Sequence, residues 1–315
     1  MRILVTGSSG FVGGALVEYL ESEGHDARGF SRNAGGDGCR GDLLDPASIQ
    51  AAMDGFQPEI IYNMAAETDL KGPPTNGYRA NTEGVANLIA AVATASSVSR
   101  VIWSSSQLVG KPGSVPVSDT DYDPVGGYGE SKAEGERLVR AADGGGKTWV
   151  IVRSTTIWGP GMSEHYLGAL RLIRRGLYFH VGQRPLRKSY SYIENLSGQL
   201  ATLAVAPSED LHRRTFYLAD SDPIELRRWV NGFAEVFGRR IPTLPTAVAR
   251  SLALAGDAAA RLGLPAPLTT ARLNNMLTEY VYDTAPIEAI HGPSGISNAE
   301  GVRRTAEWFL LRETG

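Results

Sequence analysis

The sequence predicts an α/β protein with a doubly wound parallel sheet, followed by a smaller, mainly helical C-terminal cap. Three observations favour this class. Short β-rich runs alternate with helical patterns through the first half of the 315 residues, the strands are apolar without alternation, and a glycine-rich turn follows the first strand. Unbroken apolar strands are typical of a parallel sheet that helices cover on both faces. Such a sheet binds its ligand at the carboxyl ends of its strands.

Five strands are predicted in the first half, and helical patterns separate them. The strands are Arg2–Thr6, Asp26–Phe30, Glu59–Asn63, Arg100–Ser104 and Thr148–Arg153. The helices are expected near Phe11–Glu23, Pro46–Asp54, Asn76–Ser97 and Tyr128–Ala142. Because each strand connects to the next through a helix, neighbouring strands are expected to run parallel.

The second half has a different pattern, in which prolines divide the chain into shorter, mostly helical pieces. Amphipathic helices are predicted at Asp222–Phe237 and Asn298–Leu310, where apolar residues follow helical spacing. We therefore expect a dinucleotide-binding domain at 1–155 and a substrate-binding cap at 156–315, with some elements of the second half returning to the sheet.

The composition excludes several classes of protein. Apolar residues make up 42% and charged residues 21%, and the net charge of −3 does not suggest a nucleic-acid or anionic-membrane partner. The single cysteine, Cys39, excludes an internal disulfide framework and a thiolate-rich metal site. No metal is expected. Because no signal region or membrane-spanning stretch is recognised, the protein is expected to be soluble and cytoplasmic.

The glycine-rich turn predicts a dinucleotide site. It reads Thr6-Gly7-Ser8-Ser9-Gly10-Phe11-Val12-Gly13. The first glycine permits a tight turn, the second lets the backbone approach a pyrophosphate, and the third allows close packing of helix on strand. The following helix then presents its free N–H groups to the phosphates. We expect the cofactor to be held by Gly7, Gly10, Phe11, Val12 and Gly13, the alternative being a turn that binds no ligand.

The end of the second strand suggests which dinucleotide is bound. NAD-binding sheets usually have an acidic residue there, which binds the ribose 2′-hydroxyl, whereas this chain has Ser31-Arg32-Asn33. A guanidinium at position 32 suits a 2′-phosphate. NADP(H) is therefore favoured over NAD(H), although Arg32 could also be a solvated surface residue.

A tyrosine and a lysine four residues apart open a predicted helix. In Tyr128-Gly129-Glu130-Ser131-Lys132 the two outer side chains lie on one helix face. A nearby ammonium stabilises a phenolate, so this pair is suited to general acid/base chemistry. A strand ending in Ser104-Ser105-Ser106 precedes it, with Ser105 lying 23 residues before Tyr128. A hydroxyl there would hydrogen-bond the substrate oxygen that the tyrosine protonates.

Further motifs extend the pattern along nearly the whole chain. They are GDL at 41–43, NMAA at 63–66, the SSS–G run at 104–110, IWGPG at 157–161 and TAEWF at 305–309. With TGSSGFVG at 6–13 and YGESK at 128–132, they resemble the extended short-chain dehydrogenase/reductase family. That family contains nucleotide-sugar epimerases, dehydratases and reductases, and the 3β-hydroxysteroid dehydrogenases.

The resemblance implies roles for particular residues. Tyr128 would be the general acid/base, Lys132 would bind the nicotinamide ribose and lower the tyrosine pKa, and the catalytic hydroxyl would be Ser105. The residues implied near the cofactor are Asp42 and Leu43 beside adenine, Met64 and Ala65 along the cofactor, and Asn81 steadying the active site. A homodimer through the helices near 76–97 and 128–142 is also implied.

Other positions bear on the substrate. The 4,6-dehydratases of the family have an Asp-Glu pair after the catalytic hydroxyl, whereas this chain has Ser106-Gln107, so the resemblance argues against that elimination. Thr156 stands where nucleotide-sugar enzymes often have an asparagine that contacts the diphosphate. Lys188, next to Arg187, stands where these relatives have a basic residue for the diphosphate. Thr156, Arg187 and Lys188 are thus the candidate substrate-binding residues.

Three functions follow from these observations. The leading one is an NAD(P)-dependent oxidoreductase or epimerase acting on a nucleotide-linked sugar, with Arg32 favouring NADPH-dependent reduction of a keto-sugar. The second is a ketoreductase or dehydrogenase of a steroid-like or other apolar alcohol, because the apolar segment Leu244–Leu264 resembles a helix over such a substrate. The third is a non-catalytic NADP-sensing protein.

Overall fold

The computed structural model describes residues 1–69, 77–114, 116–162, 164–266 and 268–314, and its centre is a seven-stranded parallel sheet. The strands are β1 (Arg2–Thr6), β2 (Asp26–Ser31), β3 (Cys39–Arg40), β4 (Ile60–Asn63), β5 (Arg100–Ser106), β6 (Thr148–Ser154) and β7 (Arg214–Leu218). Their order is β7-β6-β5-β4-β1-β2-β3, so the direction of winding reverses between β1 and β4. The predicted doubly wound sheet is confirmed, and such a reversal is where these sheets bind ligands.

Helices cover both faces of this sheet. They are α1 (Phe11–Ser22), α2 (Pro46–Phe56), α3 (Glu83–Thr94), α4 (Gly126–Ala141), α5 (Ile193–Val205) and α6 (Ala285–His291). Ile102 of β5 belongs to an apolar cluster that includes residues of α1 and α5, whereas Val101 and Trp103 belong to a second cluster with residues of α2 and α3. Both faces of the strand are therefore buried, which explains its unbroken apolar sequence.

The helix predicted near Asn76–Ser97 is shorter in the structure. A 3₁₀ turn at Arg79–Asn81 comes first, and α3 starts only at Glu83. Thr82 separates the two with φ −123° and ψ −74°, outside helical geometry. The residues at 70–76 lie outside the described part of the chain.

The chain divides into two compact units. Unit 1 comprises Met1–Ile157, Ser191–Ser221 and Tyr282–Gly295, and unit 2 comprises Trp158–Tyr190, Asp222–Val281 and Ile296–Gly315. The second half thus supplies β7, α5 and α6 to the unit that contains the sheet. Strand β7 pairs in parallel with β6 and forms one edge of that sheet.

Unit 2 is mainly helical. Its helices are Glu164–Arg174, Leu226–Val236, Thr246–Arg261, Thr270–Leu277 and Asn298–Thr314. Short strand pairs join Arg187–Lys188 to Ile224–Glu225 and His180–Val181 to Thr243–Leu244. The helix predicted at Asp222–Phe237 starts later because Ile224 and Glu225 form a strand, and the Glu225 carboxylate caps the helix. Among the described residues, no helix combines the length and apolarity that crossing a bilayer requires.

Candidate active site

The glycine-rich turn packs tightly against the loop that follows β4. Gly7 has φ +71°, and a Cβ atom there would lie 2.7 Å from the backbone nitrogen of Ala65. A Cβ atom on Gly13 would lie 2.3 Å from the carbonyl oxygen of Gly7. Gly10 precedes α1 and has no side chain to cap it, so the amides of Phe11 and Val12 begin an uncapped helix. This glycine cradle suits a pyrophosphate group.

Thr6 fixes the loop that contains Met64 and Ala65. Its hydroxyl donates to Asn63 Oδ1 at 2.8 Å and accepts a hydrogen bond from the Ala65 amide at 3.0 Å. Thr6 and Asn63 end the neighbouring strands β1 and β4. Sequence reasoning missed both residues, although polar side chains at the ends of two adjacent apolar strands are a recognisable signal.

The end of β2 has features that suit a ribose. The Ser31 hydroxyl is buried and has no hydrogen-bond partner among the described residues. The neighbouring Arg32 is exposed. Asp42 uses its carboxylate to accept from the Leu44 amide at 3.0 Å, and Leu43 is buried. A buried hydroxyl without a partner beside an exposed guanidinium fits a hydroxylated or phosphorylated ribose.

Helix α4 carries three polar side chains at a spacing of four residues: Tyr128, Lys132 and Glu136. Lys132 is buried, and its ammonium donates to the Ser104 carbonyl at 3.0 Å. Burial lowers the pKa of Lys132 to about 8, against the opposing effect of Glu136. At neutral pH this lysine is therefore still mainly a cation. The Tyr128 ring lies 6.2 Å from the ring of Tyr78.

The Ser105 hydroxyl contacts the same helix. Its Oγ donates to Glu136 Oε1 at 2.5 Å, and both residues are buried. The adjacent hydroxyl of Ser106 instead accepts from the Leu108 amide, which caps a short 3₁₀ turn. Ser105, Lys132 and Glu136 therefore lie together at the carboxyl end of β5. Sequence reasoning missed Glu136, which its spacing of four residues from Lys132 could have suggested.

Asn81 ties α4 to the loop after β4. It is 1% exposed, and its Nδ2 donates to the Glu67 carbonyl at 3.0 Å and to Ser131 Oγ at 2.9 Å. Ser131 in turn donates to the Tyr128 carbonyl at 2.7 Å. A Cβ atom at Gly135 would lie 2.8 Å from the Asn81 carbonyl oxygen, so glycine permits this close approach. Asn81 thus holds the first turn of α4, where the tyrosine is located.

The candidate substrate residues have different environments. Lys188, in unit 2, is 3% exposed, and its ammonium donates to the Asn275 carbonyl at 2.7 Å. It also lies 4.9 Å from the Tyr280 ring centroid. Burial lowers the pKa of Lys188 to about 8. Arg187 is exposed, and Thr156, in unit 1, is half-buried.

Comparisons with known proteins identify the family of this chain. The model of the NAD dependent epimerase/dehydratase family matches residues 3–200. A 2-alkyl-3-oxoalkanoate reductase of Stenotrophomonas maltophilia is 29% identical over 329 aligned positions, covering 96% of this chain and 98% of that protein. A UDP-glucose 4-epimerase of Vibrio cholerae is 30% identical over 264 positions, covering 78% and 79%.

A solved structure supports the fold. The UDP-glucose 4-epimerase of Thermus thermophilus, in complex with NAD, has a TM-score of 0.73 and 22% identity, covering 98% of this chain and 99% of that one. The family match spans more than half of the chain and includes the glycine cradle and α4. The chain therefore belongs to the NAD-dependent epimerase/dehydratase family and is an enzyme of the extended short-chain dehydrogenase/reductase type.

Proposed function

We propose that the enzyme is an NAD(P)-dependent oxidoreductase or epimerase whose substrate is a sugar linked to a nucleoside diphosphate. The observation that carries this proposal is the environment of Lys188. Its position in the sequence is that of the basic residue that meets the diphosphate in nucleotide-sugar enzymes. Its side chain is buried, and none of the described acidic residues pairs with it.

The charge of Lys188 is uncompensated in the described part of the chain. The ammonium contacts a neutral carbonyl and an aromatic ring, and no described carboxylate lies within 4.0 Å of it. A buried cation is costly unless it is paired, and the lowered pKa of Lys188 is the consequence of that burial. A diphosphate would supply the missing negative charge. The uncompensated charge of Lys188 thus favours an anionic substrate over a neutral one at this position.

The reaction is assigned to unit 1. The nicotinamide cofactor supplies the hydride acceptor or donor when it is bound. Tyr128 exchanges the proton of the substrate oxygen, the cationic Lys132 stabilises the tyrosine as a phenolate, and Ser105 assists this proton exchange. The exposed Arg32 beside the buried Ser31 hydroxyl supports NADP(H) over NAD(H). Reduction of a keto-sugar is the direction that NADPH favours.

Ligand-induced stabilisation tests the substrate class. Thermal unfolding is measured with UDP, GDP, dTDP and CDP, each far above its expected dissociation constant. Binding at a hundredfold excess over Kd stabilises the folded state by about 2.7 kcal/mol. One nucleotide is expected to raise the melting temperature clearly above the others. No response to any of the four diphosphates would contradict the proposal.

A second candidate substrate is an apolar alcohol or ketone. The relative that this chain matches over 98% of its length is a 2-alkyl-3-oxoalkanoate reductase. In helix Thr246–Arg261, Leu252 and Leu254 are exposed at 49% and 66%. Val248, exposed at 46%, lies four residues before Leu252 and therefore on the same face of this helix, which provides an apolar surface for such a ligand. Oxidation of NADPH with a 2-alkyl-3-oxoalkanoate, without stabilisation by any nucleoside diphosphate, would favour this candidate.

A further inference from the structure

The catalytic hydroxyl assigned to Ser105 is held by a second residue. Its Oγ lies 2.5 Å from Glu136 Oε1, and a carboxylate can only accept a hydrogen bond. The serine must therefore donate its single proton to Glu136. Both side chains are nine-tenths or more buried, with exposed fractions of 5% and 3%, so water does not compete for this hydrogen bond.

Glu136 is itself fixed by a buried guanidinium. Arg153 donates from Nε to Oε1 at 2.9 Å and from Nη2 to Oε2 at 2.8 Å, in the paired geometry that is the strongest for these groups. Tyr122 donates to Oε2 at 3.0 Å. Arg153 is 1% exposed and also donates to the Tyr217 hydroxyl at 3.2 Å. The carboxylate has little freedom to move.

The fold brings these groups together from three elements. Ser105 on β5 and Arg153 on β6 are directly paired residues of neighbouring parallel strands. Glu136 lies on α4, one turn after Lys132. Burial alone lowers the pKa of the Arg153 guanidinium, but its hydrogen bonds and charge attraction with Glu136 outweigh burial and raise it. Arg153 therefore remains a cation beside the Glu136 carboxylate.

We propose that Glu136 is a positioning residue for Ser105, which takes the hydroxyl proton and presents the oxygen lone pairs to the substrate. The proposal rests on the proposed function, since it assumes that Ser105 contacts the reacting oxygen. A serine held in this way does not donate to the substrate oxygen. It accepts a hydrogen bond from the hydroxyl of an alcohol substrate or, when the substrate is a ketone, from the phenol of Tyr128. Glu136 and Arg153 thus make Ser105 a hydrogen-bond acceptor at this site.

A double-mutant cycle separates positioning from general stabilisation. One change is Ser105→Ala. The other replaces the ion pair with Glu136→Leu and Arg153→Met together, because an unpaired buried charge would destabilise the fold. The matched control is Arg100→Met, at the opposite end of β5, where a buried guanidinium donates to the Leu203 and Ala204 carbonyls at 2.7 Å.

The cycle is measured as kcat with UDP-glucose, a 3β-hydroxysteroid and a 2-alkyl-3-oxoalkanoate as the probes. Ser105→Ala is expected to lower kcat about ten- to hundredfold in the wild type. In the protein lacking the ion pair, where the hydroxyl is no longer held, the same change should alter kcat by about twofold or less. In the Arg100→Met control, Ser105→Ala should lower kcat by the same factor as in the wild type. The wild-type rates report separately on the proposed function.

Unfolding in urea gives a second readout that needs no substrate. Ser105→Ala is expected to shift the unfolding equilibrium about tenfold in the wild type and little in the protein without the ion pair. If Ser105→Ala lowers kcat by the same factor with and without the ion pair, Glu136 is structural only and the inference is overturned. The same holds if the unfolding equilibrium shows no coupling, since the hydrogen bond would then be absent.

Discussion

Replacing Lys188 with methionine removes a charge that the folded protein holds at a cost. The pKa of Lys188 is lowered by burial from 10.5 to about 8. A pKa shift of one unit corresponds to about 1.4 kcal/mol. The lowered pKa therefore means that the charged form of Lys188 destabilises the folded protein by about 3 kcal/mol at neutral pH. Methionine keeps an unbranched apolar stem but loses the contacts with Asn275 and Tyr280, together about 1–2 kcal/mol. Lys188→Met is therefore expected to be more stable than the wild type by about 1–2 kcal/mol.

The stability of the wild type should also change with pH in a defined direction. The folded pKa of Lys188 lies below the unfolded one, so between about pH 8 and 10.5 the unfolded chain binds the proton and the folded protein does not. Raising the pH through that window stabilises the wild type, and the Lys188→Met variant should lack this contribution. Urea unfolding at pH 7 and pH 9.5, followed by circular dichroism, measures the difference between the two proteins. Lys132 titrates in both proteins, so its contribution to the pH dependence cancels in this comparison.

Nucleotide binding should change in the opposite direction. If Lys188 meets a diphosphate, its loss removes a charge-assisted contact, and UDP should bind about ten- to hundredfold more weakly by calorimetry at pH 7. The control is Lys147→Met, in which the lysine also donates to a carbonyl, that of Ala95 at 2.9 Å, and is half-buried. A Lys188→Met protein that is less stable than the wild type, or that binds UDP equally well, would refute the reasoning.

Three further predictions concern the cofactor and the chemistry. Tyr128→Phe should lower the hydride-transfer rate at least about a hundredfold with an unchanged melting temperature, and retained activity would exclude the tyrosine as the acid/base. Gly13→Ala should abolish cofactor binding in a fluorescence titration, because its Cβ would lie 2.3 Å from the Gly7 carbonyl oxygen. Gly55→Ala in α2 meets no atom within 4 Å and should instead stabilise the protein by about 0.5–1 kcal/mol. Arg32→Ala should weaken NADPH binding about tenfold and leave NADH binding unchanged, whereas equal losses would argue against an NADP preference.

Local features of the chain were sufficient to predict five of the seven strands of the central sheet. The strand Arg2–Thr6 and the start of α1 at Phe11 have the predicted bounds, because an apolar run followed by Gly-x-x-Gly-x-x-Gly specifies its own turn. The short strand Cys39–Arg40 and the start of α3 at Glu83 were not predicted. A two-residue strand has no periodicity. The break at Thr82 is accompanied by partly buried hydrogen bonds between Asn81 and Glu67, which is distant in sequence.

The spacing of residues along the chain identifies the chemical groups and their order: a glycine cradle, a hydroxyl, and a tyrosine and lysine on one helix face. The residues of each feature lie within one helical turn or one strand of each other, so their spacing in the sequence is sufficient to predict the feature. Which groups pair with each other depends instead on the three-dimensional fold. Ser105 donates to Glu136 because β5, β6 and α4 meet, and Lys188 is buried without an acidic partner among the described residues because of how unit 2 packs around it. Burial and hydrogen-bond direction arise from contacts between segments distant in the chain, which spacing along the sequence does not encode.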